Sequence, residues 1–581
     1  FGFQAALLQA PLAGQTGGPG FPPRARDNLI AFARLYGYVR YFHPSQASPA
    51  ADWSAIAVEG ARRVEAAETP EALAHALRET FAGVAPTLRV FESSRSVPVT
   101  PVDRPWDSTG TGVAYWNHYG VRTSDAPNIY DSRLVIVPAD QRPPEVPEPT
   151  QPHRLELPGG VMALVPGSLF VPLPADSAAR SRRPVADAAI ARFSAGDRAV
   201  RFAAVIVAWN AVQHFYPYFE VHEVDWPGAL RRALERAGAD TDPDSFERTL
   251  KRMMAELRDG HAGANIQPWR AFGGPPFYAR WIENRLVVTA VDSSLAGKLA
   301  PGDVIVRVNG EPADRVLVRQ DSLASGATPA SVRFASTLTL LAGPPASDLV
   351  LEVQSAGAAP RTIEVRRTLQ EPVAEPRPAS GAELQPGIRY FDLTRANDSL
   401  FQALLPQLTS ARGLVLDLRG YPRVQPRSLR HLVGDTTRWG GRQMSIPTVL
   451  RPDRENMTFS FVNPWVIPPA VPRITGSIVF LTDERAGSYG ESLLDLIEEH
   501  RLGVIVGSPS AGTNGNNNRF LVPGGYQVSF TGMRVVRHDG SRLHGVGVVP
   551  AVRVSPTIAG IRAGRDEVLE KGLEVLGRGA R

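Results

Sequence analysis

Ser488 is the residue whose place in the chain best suits covalent chemistry. It follows a short apolar run, Ser477–Thr482, and precedes a stretch with helical spacing of apolar residues, Ser492–His500. This pattern predicts a strand, a sharp turn and a helix, with Ser488 in the turn. A hydroxyl in that turn could act as a nucleophile, because backbone N–H groups at a helix N-terminus can hold a developing oxyanion.

The same residues also fit a purely structural role. Ser488 and Glu491 match the S-x-x-E capping box, whose serine and glutamate side chains only start a helix. Taken alone, the motif favours capping over catalysis. The interpretation of Ser488 as a nucleophile therefore depends on the rest of the chain.

Composition limits the other chemistry that is available. A length of 581 residues predicts roughly three to five domains, and 43% hydrophobic with 21% charged residues is typical of globular proteins. The absence of cysteine excludes disulfides, thiolate nucleophiles and cysteine-ligated metals. The formal net charge is +5 and the basic residues are scattered, so we expect no nucleic-acid partner.

The chain offers no membrane-spanning segment, since no apolar run reaches the roughly 18 residues that a crossing helix needs. Residues 1–27 begin without Met and contain the Gly/Pro-rich stretch Gly14–Pro23. They predict a disordered tail or the remnant of a trimmed export signal. We therefore expect an exported protein, periplasmic or extracellular.

An internal repeat is the clearest feature of the organisation. Segment Tyr38–Pro44 is similar to Ala211–Pro217, and an Asp-Trp pair follows each copy. The two tryptophans, Trp53 and Trp226, lie 173 residues apart, as do the two segments. Helical periodicity follows both copies, which indicates a duplicated helical unit.

The two copies differ where they end. We assign them to residues 28–90 and 195–270, and the second copy closes with Asp259, a glycine and His261. The first copy has no histidine at that point. A duplicate that keeps the helices but lacks the histidine suggests that His261 does more than pack.

Three further units are expected along the chain. Residues 91–190 are rich in proline and in alternating apolar positions, which predicts a β-rich domain. In residues 275–368, the segment Gly302–Gly310 resembles the PDZ signature, and PDZ domains add a peptide strand to a sheet edge. Residues 385–581 alternate strand and helix patterns, which predicts an α/β core, and they end in a charged helix over Ala563–Leu576.

Four motifs in this order resemble the S41 family of serine peptidases, which includes the carboxyl-terminal processing proteases and the tricorn-like core. The resemblance covers about residues 195–555 and implies a multidomain α/β protein with a ClpP/crotonase-like catalytic core. The motifs are Leu416–Arg419, Ser488–Glu491, Val506–Gly512 and Gly545–Pro550.

The base distinguishes two branches of that family. One branch uses a Ser–Lys dyad, with the lysine in the segment directly after the Gly507 strand. That segment is Gly507–Gly512 here, and it contains none of the three lysines of the chain, Lys251, Lys298 and Lys571. The tricorn-like branch uses a histidine before its PDZ domain, and His261 matches that position. The resemblance therefore implies that the neutral imidazole of His261 takes the Ser488 proton.

The residue that orients the base stays open. The tricorn-like branch carries a carboxylate just before the tail motif, where this chain has His544. Asp539 is the nearest carboxylate, and Asp259 lies two residues from His261. His544 could also be the base with His261 structural, or both histidines could be ordinary polar loop residues.

The remaining site residues are inferred from their neighbours. The oxyanion hole would combine the Tyr489 N–H with an N–H of Gly420, Tyr421 or Arg423, since Pro422 has none to offer. Glu491 would support the turn.

Two further groups of polar residues have structural interpretations. The run Asn514–Asn518 predicts a polar surface loop. His214 and His222 have a spacing that a metal could use, but they lack an acidic cluster, so aromatic core packing is favoured. We expect neither a metal nor a cofactor.

These observations predict a serine endopeptidase that cleaves peptides or unfolded proteins through a Ser488 acyl-enzyme. The alternative is a non-catalytic S41-like protein that binds peptides or apolar ligands. An esterase is also open.

Overall fold

The computed structural model describes residues 21–94, 111–121, 129–173, 180–182, 192–267, 271–369 and 373–578. Residues 1–20 of the expected tail, on which the export hypothesis rests, lie outside this part of the chain. The first helix begins at Pro23, because proline is well suited to the first turn of a helix, so residues 23–27 are helical. Among the described residues, no helix combines the length and the apolarity that a membrane crossing requires.

Two units of three helices follow the predicted repeat. Their second and third helices begin 173 residues apart, and Asp or Thr side chains cap these helices in both copies. The helices are α1 (Pro23–Phe42), α2 (Trp53–Glu65), α3 (Pro70–Phe81), α4 (Arg198–Phe215), α5 (Trp226–Ala239) and α6 (Pro243–Ala255).

The two helical units share one hydrophobic core. In the first unit the Tyr36 hydroxyl donates to the Trp53 carbonyl at 3.0 Å. At the equivalent place in the second unit, the Trp209 indole donates to the Trp226 carbonyl at 2.9 Å. Helices of both units contribute to that core, so the repeats form one body and not two separate domains.

The region between the units is rich in strands, as predicted, but the strands do not close into a domain of their own. β2 pairs with residues 448–449 of the carboxy-terminal half, and β1 pairs with β5. Alternation of apolar residues reveals strands but not their partners. For this reason the sequence predicted a separate domain at residues 91–190, whereas strands of this region pair with strands outside it. The strands are β1 (Arg89–Glu92), β2 (Thr111–Tyr119), β3 (Asp131–Pro138), β4 (His153–Leu157), β5 (Val161–Val165), β6 (Ser168–Pro172), β7 (Arg180–Arg182) and, after α6, β8 (Gly263–Ile266).

A six-stranded antiparallel sheet with two helices occupies the expected unit at residues 275–368. Its strand order is β14-β13-β11-β10-β9, with β12 on β11, so β9 is an edge strand, and α8 packs beside it. The elements are β9 (Phe277–Ile282), β10 (Arg285–Val291), β11 (Val304–Val308), β12 (Glu311–Pro312), α7 (Ala313–Asp321), α8 (Pro329–Leu341), β13 (Asp348–Gln354) and β14 (Arg361–Arg366).

The carboxy-terminal core is α/β, as predicted. Its central sheet has the order β15-β16-β17-β22-β23-β27 and is parallel from β16 onward. Helices α9 and α10 cover one face and α12 the other, so the strands are buried on both sides. The sheet strands are β15 (Glu383–Gln385), β16 (Ile388–Asp392), β17 (Gly413–Asp417), β22 (Ser477–Thr482), β23 (Val504–Gly507) and β27 (Val552–Arg553), and the first two helices are α9 (Asp398–Thr409) and α10 (Tyr489–Glu499).

Further strands border this core and form smaller pairings. β24, β25 and β8 form one sheet, which joins the segment after His261 to the core. The bordering strands of the carboxy-terminal half are β18 (Thr437–Trp439), β19 (Met444–Val449), β20 (Thr458–Phe461), β21 (Trp465–Ile467), β24 (Asn517–Val522), β25 (Tyr526–Thr531) and β26 (Arg534–Val535).

The charged terminal helix starts later than predicted. The helix expected over Ala563–Leu576 is α12 (Glu567–Arg578), and a short helix, α11 (Ile558–Arg562), precedes it. Gly564 separates them with φ of 67°, a left-handed conformation that ends a helix.

Candidate active site

Ser488 occupies the tight turn between β22 and α10. Its backbone has φ of 53° and ψ of −114°, a conformation that costs a non-glycine residue about 1–3 kcal/mol and is concentrated at functional sites. The Ser488 side chain makes no capping hydrogen bond to the helix. The capping-box interpretation is therefore wrong for this serine, because the strained turn does not direct its hydroxyl to the helix N–H groups.

Glu491 braces the loop opposite the turn. Its Oε1 accepts the Ser510 hydroxyl and the Gly512 N–H, both at 2.6 Å. Burial raises the pKa of this carboxyl to about 7, although these hydrogen bonds oppose the shift. The supporting role expected for Glu491 thus includes contacts with residues 510–512.

Thr513 connects the serine segment to the histidine segment. Its backbone carbonyl accepts the Ser488 N–H at 2.7 Å, and its hydroxyl accepts the Gly260 N–H at 3.0 Å. Two parts of the chain separated by more than two hundred residues therefore meet at one threonine. Nothing in the sequence around Thr513 signals this role.

His261 lies at the end of a hydrogen-bonded chain. Its Nδ1 is 2.9 Å from the Thr531 hydroxyl, and that hydroxyl is 2.6 Å from Oδ1 of Asp259. A carboxylate can only accept hydrogen bonds, so the Thr531 hydroxyl donates its hydrogen bond to Asp259. The Thr531 oxygen accepts a hydrogen bond from the His261 ring. This arrangement places the imidazole proton on Nδ1 and leaves Nε2 with a lone pair.

The surroundings of His261 favour the neutral imidazole. Burial lowers the pKa of His261 below its usual value, and the charge of Asp259 partly offsets that shift. Asp259 is fully buried, and it also accepts the backbone N–H groups of His261 and Thr531 at 3.0 and 2.7 Å. Both oxygens of the Asp259 carboxylate are thus fixed, which holds the hydrogen-bonded series Asp259–Thr531–His261 in place.

The other two candidates for the orienting residue do not bond the imidazole of His261. Asp539 is exposed, and its carboxylate accepts the Ser541 N–H within a turn. His544 is buried against the ring of Tyr218, with centroids 4.0 Å apart, and burial lowers its pKa to about 4. No hydrogen bond between described residues joins either side chain to His261.

The backbone N–H groups near Ser488 differ in their availability. Gly420 donates its N–H to Leu418 at 2.9 Å, so this expected oxyanion donor is already engaged. Tyr421 and Tyr489 have N–H groups without an acceptor among the described residues. Gly490 packs against the Gly420–Pro422 loop, since a Cβ at Gly490 would lie 3.5 Å from Pro422 Cδ. The Tyr421 and Tyr489 donors therefore belong to adjoining segments.

Ser488 opens into a cleft with a volume of about 700 Å³. The expectation of a surface loop at Asn514–Asn518 is wrong, because Asn514 and Asn518 are buried and part of the run lines this cleft. Asn514 is held by two contacts with the Ser492 hydroxyl, which is also in the wall. The cleft lining includes Tyr421, Trp465, Tyr489, Ser492, Asn514 and Asn516.

The histidines considered for a metal have other surroundings. His214 is buried among aromatic rings, with the Phe42 centroid 5.1 Å away, and its Nδ1 accepts the Asp453 N–H. One group in the described chain has metal-ligating atoms within 4.8 Å of one another, namely Asp495, Glu498 and His538. His538 already bonds Asp495, and a neighbouring arginine pairs with Glu498, so the ligand atoms are in use.

One family model matches a part of the chain. Residues 429–554 match the family model described as peptidase family S41. The chain contains an S41 peptidase domain. The matched range of the S41 domain includes Ser488, Glu491, Thr513 and Thr531, whereas His261 lies outside it. None of the curated protein sequences compared with the chain matches it.

Two solved structures of CPAF are similar in fold to this chain over 64% and 65% of its length. The crystal structure of mature CPAF is 14% identical, has a TM-score of 0.51, and the match covers 64% of this chain and 96% of that chain. Mature CPAF complexed with lactacystin is 14% identical with a TM-score of 0.50, covering 65% and 98%. The photosystem II D1 C-terminal processing protease is 18% identical with a TM-score of 0.38, covering 61% and 92%.

Proposed function

We propose that this protein is a serine endopeptidase that cleaves peptides or unfolded proteins, with Ser488 as the nucleophile and His261 as the general base. The observation that carries the proposal is the hydrogen-bonded series of side chains Asp259–Thr531–His261. Thr513 connects this segment to the strained turn of Ser488, because it accepts the N–H groups of Gly260 and Ser488. A base with its proton fixed on Nδ1 can use Nε2 for proton transfer. The S41 domain supports peptide-bond chemistry in this cleft.

The reaction proceeds through an acyl-enzyme. His261 takes the Ser488 proton as the hydroxyl oxygen attacks the peptide carbonyl carbon, and the resulting oxyanion binds the N–H groups of Tyr489 and Tyr421. The C–N bond then breaks, and His261 returns the proton to the leaving amine. A water molecule next gives its proton to His261 and attacks the acyl carbon, which releases the new carboxyl terminus and restores Ser488.

Residues 275–368 are proposed to act as a PDZ domain that receives the peptide as an added strand. β9 is an edge strand of its sheet and lies beside α8, which is the arrangement that strand addition needs. A cavity of about 550 Å³ lies between these two elements and also touches Ser508 and Ser510 of the core. A peptide there would lie close to the loop that Glu491 braces.

The decisive experiment compares wild-type protein with Ser488→Ala. We expect loss of cleavage of an unfolded protein substrate and loss of fluorophosphonate labelling, with an unchanged or raised melting temperature. Ser541→Ala removes an exposed serine from a distant turn and should leave both activities intact. Cleavage that persists in Ser488→Ala would refute the proposal.

A second candidate is a non-catalytic protein that binds peptides or apolar ligands in the same cleft. Two observations favour it: the expected glutamate before Gly545 is His544, and the Asp259 carboxylate is linked to the imidazole ring of His261 through the Thr531 hydroxyl, not directly. The fluorophosphonate probe separates the two functions. Peptide binding by a protein whose Ser488 never reacts would support the binding function.

A further inference from the structure

Two arginines stand on one face of a short helix in the wall of the cleft. Arg427 and Arg430 belong to the 3₁₀ helix Pro426–His431, and both line the cavity that contains Ser488. Residues three apart in a 3₁₀ helix eclipse one another, with a separation of about 6 Å along the axis. The two side chains therefore start from the same side of the helix, one above the other.

The backbone that carries these arginines is fixed. The Asp398 carboxylate accepts the Ser428 hydroxyl inside the helix. The carbonyl of Arg430 accepts the Ala470 N–H at 2.9 Å, which ties the end of the helix to a second loop. Neither arginine needs the backbone to move in order to reach into the cleft.

The protein pairs these two arginines only weakly. Arg427 is 76% exposed and forms a long ion pair of 3.6 Å with Asp398, whose other oxygen accepts the Ser428 hydroxyl. Arg430 forms no ion pair with any described residue. Buried arginines of the core are paired closely, as Arg419 is with Asp417 at 2.6 Å.

The cleft also lacks negative charge of its own. Among its described lining residues, the only charged side chains are these two arginines. One part of the lining is apolar: the rings of Trp465 and Tyr489 lie 5.6 Å apart, and Met444 adds to them. A ligand that fits both surfaces carries an anionic group next to a large apolar one.

We propose that the cleft selects peptides in which an acidic side chain lies close to a large apolar residue at the cleavage point. This inference rests on the proposed endopeptidase function and names its substrate class. The carboxylate of the substrate pairs with Arg427 and Arg430, whose planar guanidinium groups suit carboxylate oxygens. The apolar side chain packs on Trp465 and Tyr489.

Matched fluorogenic peptides test this selectivity. The peptides share a leucine at the cleavage point and differ at one flanking position, which is Glu, Gln or Lys, and each carries an amidated C-terminus. We expect kcat/KM to be highest for Glu and lowest for Lys. Replacing one arginine, in Arg427→Gln or Arg430→Gln, should lower the ratio of kcat/KM for the Glu peptide to kcat/KM for the Gln peptide about two- to fivefold.

Charge reversal and a matched control sharpen the test. Arg430→Glu should reverse the order, so that the Lys peptide becomes the better substrate. Arg423→Gln removes an exposed arginine from the same segment outside the cleft lining and should keep the preference for Glu. The preference should also shrink at high salt, because exposed charges are screened.

Binding measurements keep this inference separate from the catalytic one. Fluorescence anisotropy with Ser488→Ala reports affinity for the three peptides without any cleavage, and we expect the Glu peptide to bind most tightly. Equal affinities and equal kcat/KM values for Glu and Gln would overturn the inference while leaving the endopeptidase intact. Cleavage that requires a free C-terminal carboxylate, with no effect of Glu, would overturn it as well.

Discussion

His261 and Thr531 are 270 residues apart in the chain and 2.9 Å apart in the structure, where Nδ1 of the imidazole meets the threonine hydroxyl. The hydroxyl has one hydrogen to donate, and it donates that hydrogen bond to Asp259. In the proposed mechanism Thr531 therefore does for His261 what a carboxylate does in a Ser-His-Asp triad: it accepts the hydrogen bond from Nδ1–H and sets the tautomer. Its neutral oxygen stabilises an imidazolium less than a carboxylate in direct contact would.

The first prediction concerns this hydroxyl. Thr531→Val keeps the shape of the side chain but removes the acceptor for His261 and the donor to Asp259. We expect kcat to fall about tenfold to a hundredfold, since an unmade buried hydrogen bond costs about 1–3 kcal/mol. Thr531→Ser restores the hydroxyl and should recover most of the rate. Steady-state cleavage assays check both variants, and a Val variant as active as Ser would contradict the role of the hydroxyl.

The second prediction concerns pH. Because burial lowers the pKa of His261, the imidazole is neutral at neutral pH and becomes protonated only below its usual value of 6.5. We expect kcat/KM to fall toward acid with a midpoint below that value. A pH–rate profile measured on the free enzyme with subsaturating peptide gives this midpoint directly.

Asp259 provides the control for the pH profile. Its negative charge raises the pKa of His261, so Asp259→Asn should move the acid midpoint to still lower pH while also lowering kcat. Asp539→Asn alters a carboxylate on an exposed turn and should leave the midpoint in place. A midpoint that follows Asp539 and ignores Asp259 would show that a different carboxylate governs the base.

The third prediction concerns Glu491 and stability. Its pKa of about 7 in the folded protein exceeds the ordinary value of 4.5, so the folded state binds a proton that the unfolded chain releases between these values. This contribution to stability is complete below pH 4.5 and is lost as the pH rises through 7. The glutamine in Glu491→Gln does not titrate. As the pH rises from about 5 to about 8, the free energy of unfolding of the wild type should therefore fall relative to that of Glu491→Gln. Chemical denaturation at both pH values measures the difference.

A matched variant separates the charge of Glu491 from its hydrogen bonds. Glu491→Gln keeps an oxygen for the Ser510 hydroxyl and the Gly512 N–H, so peptide cleavage should persist. Glu491→Ala leaves both donors unpaired and loosens the loop that leads to Thr513. We expect a clear loss of kcat in the Ala variant, and equal activity of the two variants would contradict the bracing role.

Local patterns predicted the elements well, and long-range contacts account for what they missed. Ser488 was found because a strand, a turn and a helix follow one another within 25 residues, and the repeat was found because its tryptophans keep a constant offset. Thr513 and Thr531 could not be found in this way, since their roles come from partners more than 250 residues away. The burial of Asn514 was missed for the same reason: composition indicates a loop but not what covers it.

The last prediction concerns the crossing of the two repeats. Helices α1 and α4 approach so closely at Gly37 that a Cβ there would lie 1.9 Å from Oδ1 of Asn210 and 2.5 Å from Nε2 of His214. Both side chains are buried, so neither can move aside freely, and Gly37→Ala should lower the free energy of unfolding by about 1–3 kcal/mol. Gly83→Ala provides the control, because a Cβ at Gly83 meets nothing within 4 Å. Thermal or chemical unfolding that is the same for the two variants would mean that the repeats do not depend on this contact.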